Sequence, residues 1–272
     1  MSLDLKGHRM ENDECSAAVR HWERYGRHRR FLPKPLWTNI AEYTAVAYDR
    51  QVERILATRF HRGQIVLDIG CGDGRWTEYL LSLGVTGVGV DLLRASTVAT
   101  AGRTCRMAGR SLAVVADAVH LPFKTVVFDG IISFGLLEHF AEHEQVLGHW
   151  KSLVARGGTA VISVPNARRK DWMAYSVLHE LVVHRRLLWP RTAARGIVSR
   201  SYGYEERWTD AYFAELCRLV GFRQVQIQGL FTLVPLLFHP VGDRIPRALF
   251  RLLASPRPSR EWGLYLFATA KV

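Results

Sequence analysis

The segment Asp68–Gly74 reads D-I-G-C-G-D-G and constrains the fold of this chain more than any other feature. Glycines at alternate positions let the backbone turn sharply and let a ligand approach it without meeting a Cβ atom. An apolar run precedes the segment and a helical pattern follows it. Because the N–H groups at a helix N-terminus attract carboxylates and phosphates, the segment predicts a strand–turn–helix unit that binds a small ligand.

The spacing of the glycines separates this loop from the common dinucleotide loop. Nicotinamide oxidoreductases carry G-x-G-x-x-G, whereas this chain has D-x-G-x-G-x-G, with Asp68 ahead of Gly70. The Asp68 carboxylate is placed to face an α-ammonium group, directly or through water, and it would repel a pyrophosphate. The spacing therefore favours a ligand with an amino acid part and disfavours a nicotinamide oxidoreductase.

Short apolar runs alternate with helical patterns along the chain. These patterns predict strands over 64–69, 85–90, 112–116, 126–133, 159–164, 222–228 and 264–270. They predict helices over 38–60, 75–82, 94–107, 143–154 and 210–219. We expect Thr38 to cap the first helix, and the glycines at 157 and 158 to stop the fourth. Such alternation predicts an α/β fold with a mostly parallel sheet and helices on both faces.

Three of the predicted strands end in an aspartate, at Asp68, Asp91 and Asp117. In open α/β sheets, ligands bind at the edge where parallel strands end. A carboxylate at Asp91 can accept both hydroxyls of a ribose. The Asp117 carboxylate can accept an adenine amino group, and the Ala118 N–H can donate to a ring nitrogen. Any one of these acids alone could simply cap a turn, but the three together favour an adenosine site.

Residues 66–74, 88–91, 117–123, 128–139 and 153–165 resemble the class I S-adenosylmethionine-dependent methyltransferases, in the group that includes the ubiquinone and menaquinone enzymes. The resemblance is good from about residue 60 to 165, and loose over 204–221 and the last strand. It implies a Rossmann-like, seven-stranded, mostly parallel sheet with an antiparallel last strand, and S-adenosylmethionine as cofactor. The residues expected to bind that cofactor are Asp68, Gly70, Cys71, Gly72, Gly74, Asp91, Leu92, Asp117, Ala118, Ser133 and Phe134.

His139 is the candidate catalytic base, because it follows the fourth predicted strand at the cofactor edge. A hydroxyl acceptor must lose a proton during methyl transfer, and histidine exchanges protons near neutral pH. The alternative is a structural histidine that closes the turn. Residues 139–143 also match H-x-x-E-H, a zinc-protease pattern. Because a methyl-transfer site needs no metal there, we expect none.

The outer segments are expected to form the acceptor side. We predict a helical arm or lid over residues 1–60 and a methyltransferase domain over 61–272, with insertions at 166–208 and 229–261. These segments contain Trp22, Trp37, Trp172, Trp189 and Trp208, and Trp262 directly follows the last insertion. The tryptophans either bind a large apolar acceptor with an anionic part or pack the lid onto the sheet.

The formal charge of +12 leaves more than one partner open. Positive charge suits RNA, an anionic lipid surface or an acidic substrate, or it reflects an arginine-rich composition. The basic face formed by Arg244, Arg247 and Arg251 could lie on a membrane or simply face solvent. RNA-recognition motifs are lacking, and Ser133–Leu136 replaces the Asn/Asp-Pro-Pro-aromatic run of amino-adenine methyltransferases.

We therefore expect methyl transfer to a small-molecule or lipid-linked acceptor, at an oxygen. An RNA methyltransferase and a non-catalytic S-adenosylmethionine-binding protein are the alternatives. The four cysteines form no C-x-x-C pair, and the charged N-terminus does not resemble a signal peptide. We expect a cytoplasmic protein, with peripheral membrane contact left open.

Overall fold

The computed structural model describes residues 40–107, 110–167, 208–230 and 265–272, with side chains from residue 48 onward. The helices in these ranges are α1 (Ile40–Arg59), α2 (Arg75–Ser82), α3 (Arg94–Thr104), α4 (His143–Ser152) and α5 (Asp210–Leu219). The strands are β1 (Ile65–Ile69), β2 (Thr86–Asp91), β3 (Ser111–Val115), β4 (Phe128–Phe134), β5 (Val154–Pro165), β6 (Arg223–Leu230) and β7 (Tyr265–Lys271). Among these helices, none has both the length and the apolar character needed to cross a membrane.

The strands form one seven-stranded sheet in the order β3-β2-β1-β4-β5-β7-β6. Strands β1 to β5 pair in parallel, and β7 runs antiparallel to both β5 and β6. The predicted fold, a mostly parallel Rossmann-like sheet with an antiparallel last strand, is confirmed. The strand order reverses at β1, which lies between β2 and β4, and this switch point is where such sheets bind ligands.

Both faces of the sheet are covered, which explains why its central strands read as continuous apolar runs. Gly87 and Gly89 of β2 face α2 and α3 respectively, so these two helices lie on the same face of the sheet. The cluster on that face contains Val52, Leu56 and Phe60 from α1 and the turn after it, together with Val66, Ile132 and Phe267 from the sheet. The cluster on the other face includes Leu67, Ile69, Trp150, Phe213 and Leu266, with α4 and α5 covering it.

The observed helix boundaries agree closely with the predicted ones for α2 and α5, and less closely for α3. The predicted helix at 210–219 is confirmed in full as α5, and the Thr209 hydroxyl caps it by accepting the Tyr212 N–H at 3.1 Å. The prediction for α2 is also confirmed residue for residue. α3 ends at Thr104, three residues before the predicted end.

The prediction that Gly157 and Gly158 stop the fourth helix is wrong. α4 already ends at Ser152, and β5 runs through both glycines. The pairing of β4 with β5 shifts register between Phe128 and Gly130, and a Cβ at Gly158 would lie 2.7 Å from the Asp129 carbonyl oxygen. These glycines therefore accommodate an irregularity inside a strand, a role that looks the same in sequence as a helix stop.

Part of the predicted acceptor side is described. The α1 residues Val52 and Leu56 are fully buried in the core, so this end of the predicted arm packs against the sheet. Thr38, Trp22, Trp37 and Trp262, most of the two insertions with Trp172 and Trp189, and the basic residues Arg244, Arg247 and Arg251 lie outside the described residues. The proposed division of the chain at residue 60 stays a prediction.

Candidate cofactor site

The glycine loop joins β1 to α2 at the switch point. Gly70, Gly72 and Gly74 have φ angles of +75°, +55° and +79°, a backbone region that residues with a Cβ rarely adopt. A Cβ at Gly70 would lie 2.9 Å from Leu136 Cδ2, and one at Gly74 would lie 2.7 Å from the Thr100 backbone. A Cβ at Gly72 would meet nothing within 4 Å among the described residues. The loop is therefore packed at both ends and open at its centre, as a ligand cradle requires.

The amide groups of the loop bond to the end of β2. The Gly70 and Cys71 N–H groups both donate to the Val90 carbonyl oxygen, at 2.8 and 2.9 Å. The Gly72 N–H donates to Asp91 Oδ2 at 3.0 Å. These bonds fix the loop against the neighbouring strand before any ligand arrives.

Asp91 connects two loops at this edge. Its Oδ2 accepts the Gly72 N–H and its Oδ1 accepts the Leu93 N–H at 2.8 Å. Burial raises the pKa of Asp91, while the hydrogen bonds from Leu93, Gly72 and Ser96 oppose that rise. Each carboxylate oxygen retains acceptor capacity, and the apolar side chain of Leu92 beside it is 41% exposed. An acceptor and an apolar surface thus meet at the end of β2.

Asp68 lies beneath the loop. Its side chain is 2% exposed, and its Oδ2 accepts the Thr77 hydroxyl of α2 at 2.7 Å. Burial raises the pKa of Asp68 to about 7, with smaller contributions from the charges of Asp91 and Asp73. The carboxyl group therefore connects the end of β1 to α2 and has almost no exposed surface.

Asp117 and Ala118 follow β3 at the same edge. The Asp117 side chain is 43% exposed, and its Oδ1 accepts the Val119 N–H at 3.0 Å. The Ala118 carbonyl accepts the indole N–H of Trp150, a fully buried residue of α4, at 2.8 Å. The turn is therefore fixed from the core, while the Asp117 carboxylate stays accessible to solvent.

Ser133 and Phe134 close the site at the end of β4. Ser133 is 1% exposed, and its hydroxyl donates to the Ile69 carbonyl at 3.0 Å. Phe134 packs edge-on against Trp76 at 5.6 Å between ring centroids, and against Phe267 at 5.4 Å. Ser133 therefore stabilises the end of β1, and Phe134 contributes an apolar ring near the first turn of α2.

His139 ends the 3-10 turn Leu137–His139 that follows β4, and it is half-buried. His143 begins α4, is 6% exposed and packs edge-on against the Trp208 ring at 4.4 Å. Because Phe140 is extended between them, the two histidines do not share one helix, which the H-x-x-E-H zinc pattern requires. In the described part of the chain, no group of three histidine, cysteine or acidic side chains could hold a metal ion.

Sequence reasoning missed the residues that support the loop from behind. Thr77, Thr100 and Arg103 all contact it or its acids. The buried residues of α3 are Thr97, Thr100 and Thr104, so no apolar periodicity marks its inner face. The sequence signal for this contact was an acidic residue in the loop, Asp73, together with a basic residue in α3, Arg103.

The variant Asp68→Asn tests the burial of the Asp68 carboxyl group. The pKa of Asp68 is raised from 3.8 to about 7, so the folded state binds this proton more tightly than the unfolded state does. The stability that the protonated Asp68 contributes is therefore complete below about pH 4 and is lost as the pH rises to about 7. In the wild-type chain, this loss should lower the free energy of unfolding by up to about 4 kcal/mol over that range. The side chain in Asp68→Asn does not ionise, so we expect the variant to lack this part of the fall.

The measurement is urea unfolding at several pH values between 4 and 8. Asp129→Asn is the matched control, because Asp129 accepts the Ile65 N–H at the opposite edge of the sheet. Its pH dependence should equal that of the wild-type chain. A wild-type slope in Asp68→Asn would contradict the assignment.

Comparison with known proteins agrees with this geometry. The methyltransferase domain family matches residues 40–226. A probable tRNA methyltransferase 9B of Mus musculus is 31% identical over 112 residues, which are 40% of this chain and 23% of that protein. A ubiquinone biosynthesis O-methyltransferase of Burkholderia thailandensis is 24% identical over 185 residues, which are 67% of this chain and 72% of that protein. The chain thus spans about a quarter of the first relative's length.

Solved structures of low identity share the fold. A putative methyltransferase in complex with the Trm112 activator of Haloferax volcanii has a TM-score of 0.57 and 18% identity, covering 93% of this chain and 96% of that one. The Burkholderia thailandensis 1,6-didemethyltoxoflavin-N1-methyltransferase, solved with S-adenosylhomocysteine, has a TM-score of 0.53 and 19% identity, covering 96% and 91%. With the family match over residues 40–226, the chain belongs to the class I S-adenosylmethionine-dependent methyltransferase family.

Proposed function

We propose that this chain transfers the methyl group of S-adenosylmethionine to an oxygen of a small-molecule or lipid-linked acceptor. The observation that carries the proposal is the open cradle at Gly72 after β1, with Asp91 and Asp117 at the ends of the next two strands of the sheet, β2 and β3. The similarity to a ubiquinone biosynthesis O-methyltransferase, over 67% of the chain, supports an acceptor oxygen.

The glycine loop fits the amino acid part of this cofactor. Gly70, Cys71 and Gly74 would hold the loop in shape, and the bare Cα of Gly72 would let the ligand approach the backbone. Asp68 is nearly inaccessible, so it would act on the cofactor's ammonium group through water or through the loop. Its charge and those of its acidic neighbours suit a cationic ligand group.

The strand ends fit the nucleoside part. The free acceptor capacity of Asp91 would serve the ribose hydroxyls, and Asp117 with the Ala118 N–H would serve the adenine edge. The exposed Leu92 and the half-buried Phe134 would supply apolar contacts. Ser133 would take part by holding the end of β1, since its hydroxyl is bonded to Ile69.

Direct methyl transfer requires no covalent bond between the protein and either reactant. When bound, S-adenosylmethionine supplies an electrophilic methyl group on a positively charged sulfur. The chain's own residues must align the acceptor oxygen in line with that carbon–sulfur bond and exclude water. His139 would accept the hydroxyl proton as the oxygen–carbon bond forms and the carbon–sulfur bond breaks to leave S-adenosylhomocysteine, and it would then release the proton to solvent.

RNA is the second candidate acceptor. The similarity to a tRNA methyltransferase and the charge of +12 favour it. The similarity covers only 40% of this chain and 23% of that protein, and one fold serves many acceptors. We therefore place the small-molecule acceptor first and design the test to separate the two.

A labelled-methyl assay tests the function directly. Purified chain is incubated with methyl-labelled S-adenosylmethionine and, in separate reactions, with a lipid and small-molecule extract or with total tRNA. We expect label in the organic-extractable product, with a mass increase of one CH₂ group. Label that precipitates with RNA and is released by ribonuclease would favour RNA. Absence of transfer, with cofactor binding intact, would indicate a binding protein.

The variant His139→Gln tests the base. If His139 removes the acceptor proton, kcat should fall by about 10²-fold, because general base catalysis is worth 10²–10⁴-fold, and KM for the cofactor should change little. The control is His61→Gln, which alters an exposed histidine in the turn before β1. A near-normal kcat in His139→Gln would overturn the base role.

A further inference from the structure

Helix α3 contacts the glycine loop through Thr100. The Thr100 hydroxyl donates to the Gly72 carbonyl oxygen at 3.2 Å and lies 3.4 Å from Cys71 Sγ. The Thr100 backbone also packs against Gly74, where a Cβ would come within 2.7 Å. One residue of α3 thus contacts three positions of the loop.

Arg103, one turn further along α3, bonds to Asp73, the acidic residue between Gly72 and Gly74. Its Nε donates to the Asp73 carbonyl oxygen at 3.1 Å, and one terminal nitrogen binds Asp73 Oδ2. The other terminal nitrogen donates to Glu78 Oε2 of α2 at 3.0 Å. Since all three guanidinium nitrogens are used, Arg103 holds the loop, α2 and α3 in one arrangement.

Asp73 in turn shapes the start of α2. Its carboxylate accepts the backbone N–H of Arg75, the first residue of the helix. Burial raises the pKa of Asp73, and the Arg103 charge opposes that rise. The side chains of Asp73 and Arg103 are 12% and 28% exposed, so much of this contact is shielded from water.

Asp73 also lies near a second buried acid. Its charge and that of Asp91 both raise the pKa of the buried Asp68. Without Arg103, the half-buried Asp73 charge would be left uncompensated. The loop would then relieve that cost by moving Asp73 toward solvent, and its glycine backbone offers little resistance.

We propose that Arg103 is a positioning residue for cofactor binding. It keeps Asp73, and through it the loop and the first turn of α2, in the conformation that leaves Gly72 open. The described bonds of Arg103 go to Asp73 and Glu78. This inference rests on the proposed function of the loop, and it concerns affinity for the cofactor rather than the chemical step.

The test compares Arg103→Met, Arg103→Lys and the control Arg106→Met, which alters an exposed arginine just beyond α3. Calorimetry with S-adenosylhomocysteine gives Kd, and methyl-transfer assays give KM for the cofactor and kcat. We expect Arg103→Met to raise Kd and cofactor KM by about tenfold to a hundredfold, with kcat at saturation within about threefold of wild type. Arg103→Lys keeps the positive charge but lacks the planar guanidinium group that bonds to both Asp73 and Glu78, so it should recover part of the affinity. Arg106→Met should match the wild-type chain.

A second variant keeps the proposal testable if Arg103→Met folds poorly. Asp73→Asn should raise Kd as well, and combining it with Arg103→Met should cost less than the sum of the two single effects. Wild-type Kd in both single variants, or a lowered Tm with unchanged Kd, would overturn the positioning role. Failure of the wild-type chain to bind S-adenosylhomocysteine would instead count against the proposed function.

Discussion

The Asp91 carboxylate is the interaction on which the rest of the site depends. It accepts the Gly72 N–H from one loop and the Leu93 N–H from the next, so it joins the β1–α2 and β2–α3 turns. Without a bond from β2, a loop with three glycines at positive φ would have many conformations to lose on binding a ligand. Thr100 and Arg103 restrain the same loop from behind, and the two sets of contacts leave Gly72 as its open point.

Much of the fold could be predicted from the sequence, because the signals were local. The glycine spacing, the helical pattern over 210–219 and the aspartates at three strand ends each depend on a few neighbouring residues. The glycines at 157 and 158 failed as a helix stop because only pairing with β4 reveals that they lie within a strand. The inner face of α3 could not be predicted, since it is lined by threonines rather than by an apolar stripe.

The predicted site residues fall into an exposed group and a buried group. Asp91 and Asp117 lie at the exposed edge, where the sequence predicts ligand contacts. Asp68 and Ser133 are nearly inaccessible and bond to Thr77 and to the Ile69 carbonyl. A motif reveals which residues belong to a site, but burial decides whether each one meets the ligand or supports a residue that does. Relatives that are similar to this chain carry names from two acceptor classes, because one fold serves many acceptors.

The measurement that tests this account most directly is calorimetric titration of S-adenosylhomocysteine into the wild-type chain, Asp91→Asn and Asp129→Asn. The account requires saturable binding to the wild-type chain and to Asp129→Asn, which alters an acid at the opposite sheet edge. It requires Kd for Asp91→Asn to rise at least about tenfold, because a hydrogen bond to a charged group contributes about 1.5–3 kcal/mol. Equal affinity in Asp91→Asn and the wild-type chain, or no binding to the wild-type chain, would contradict it.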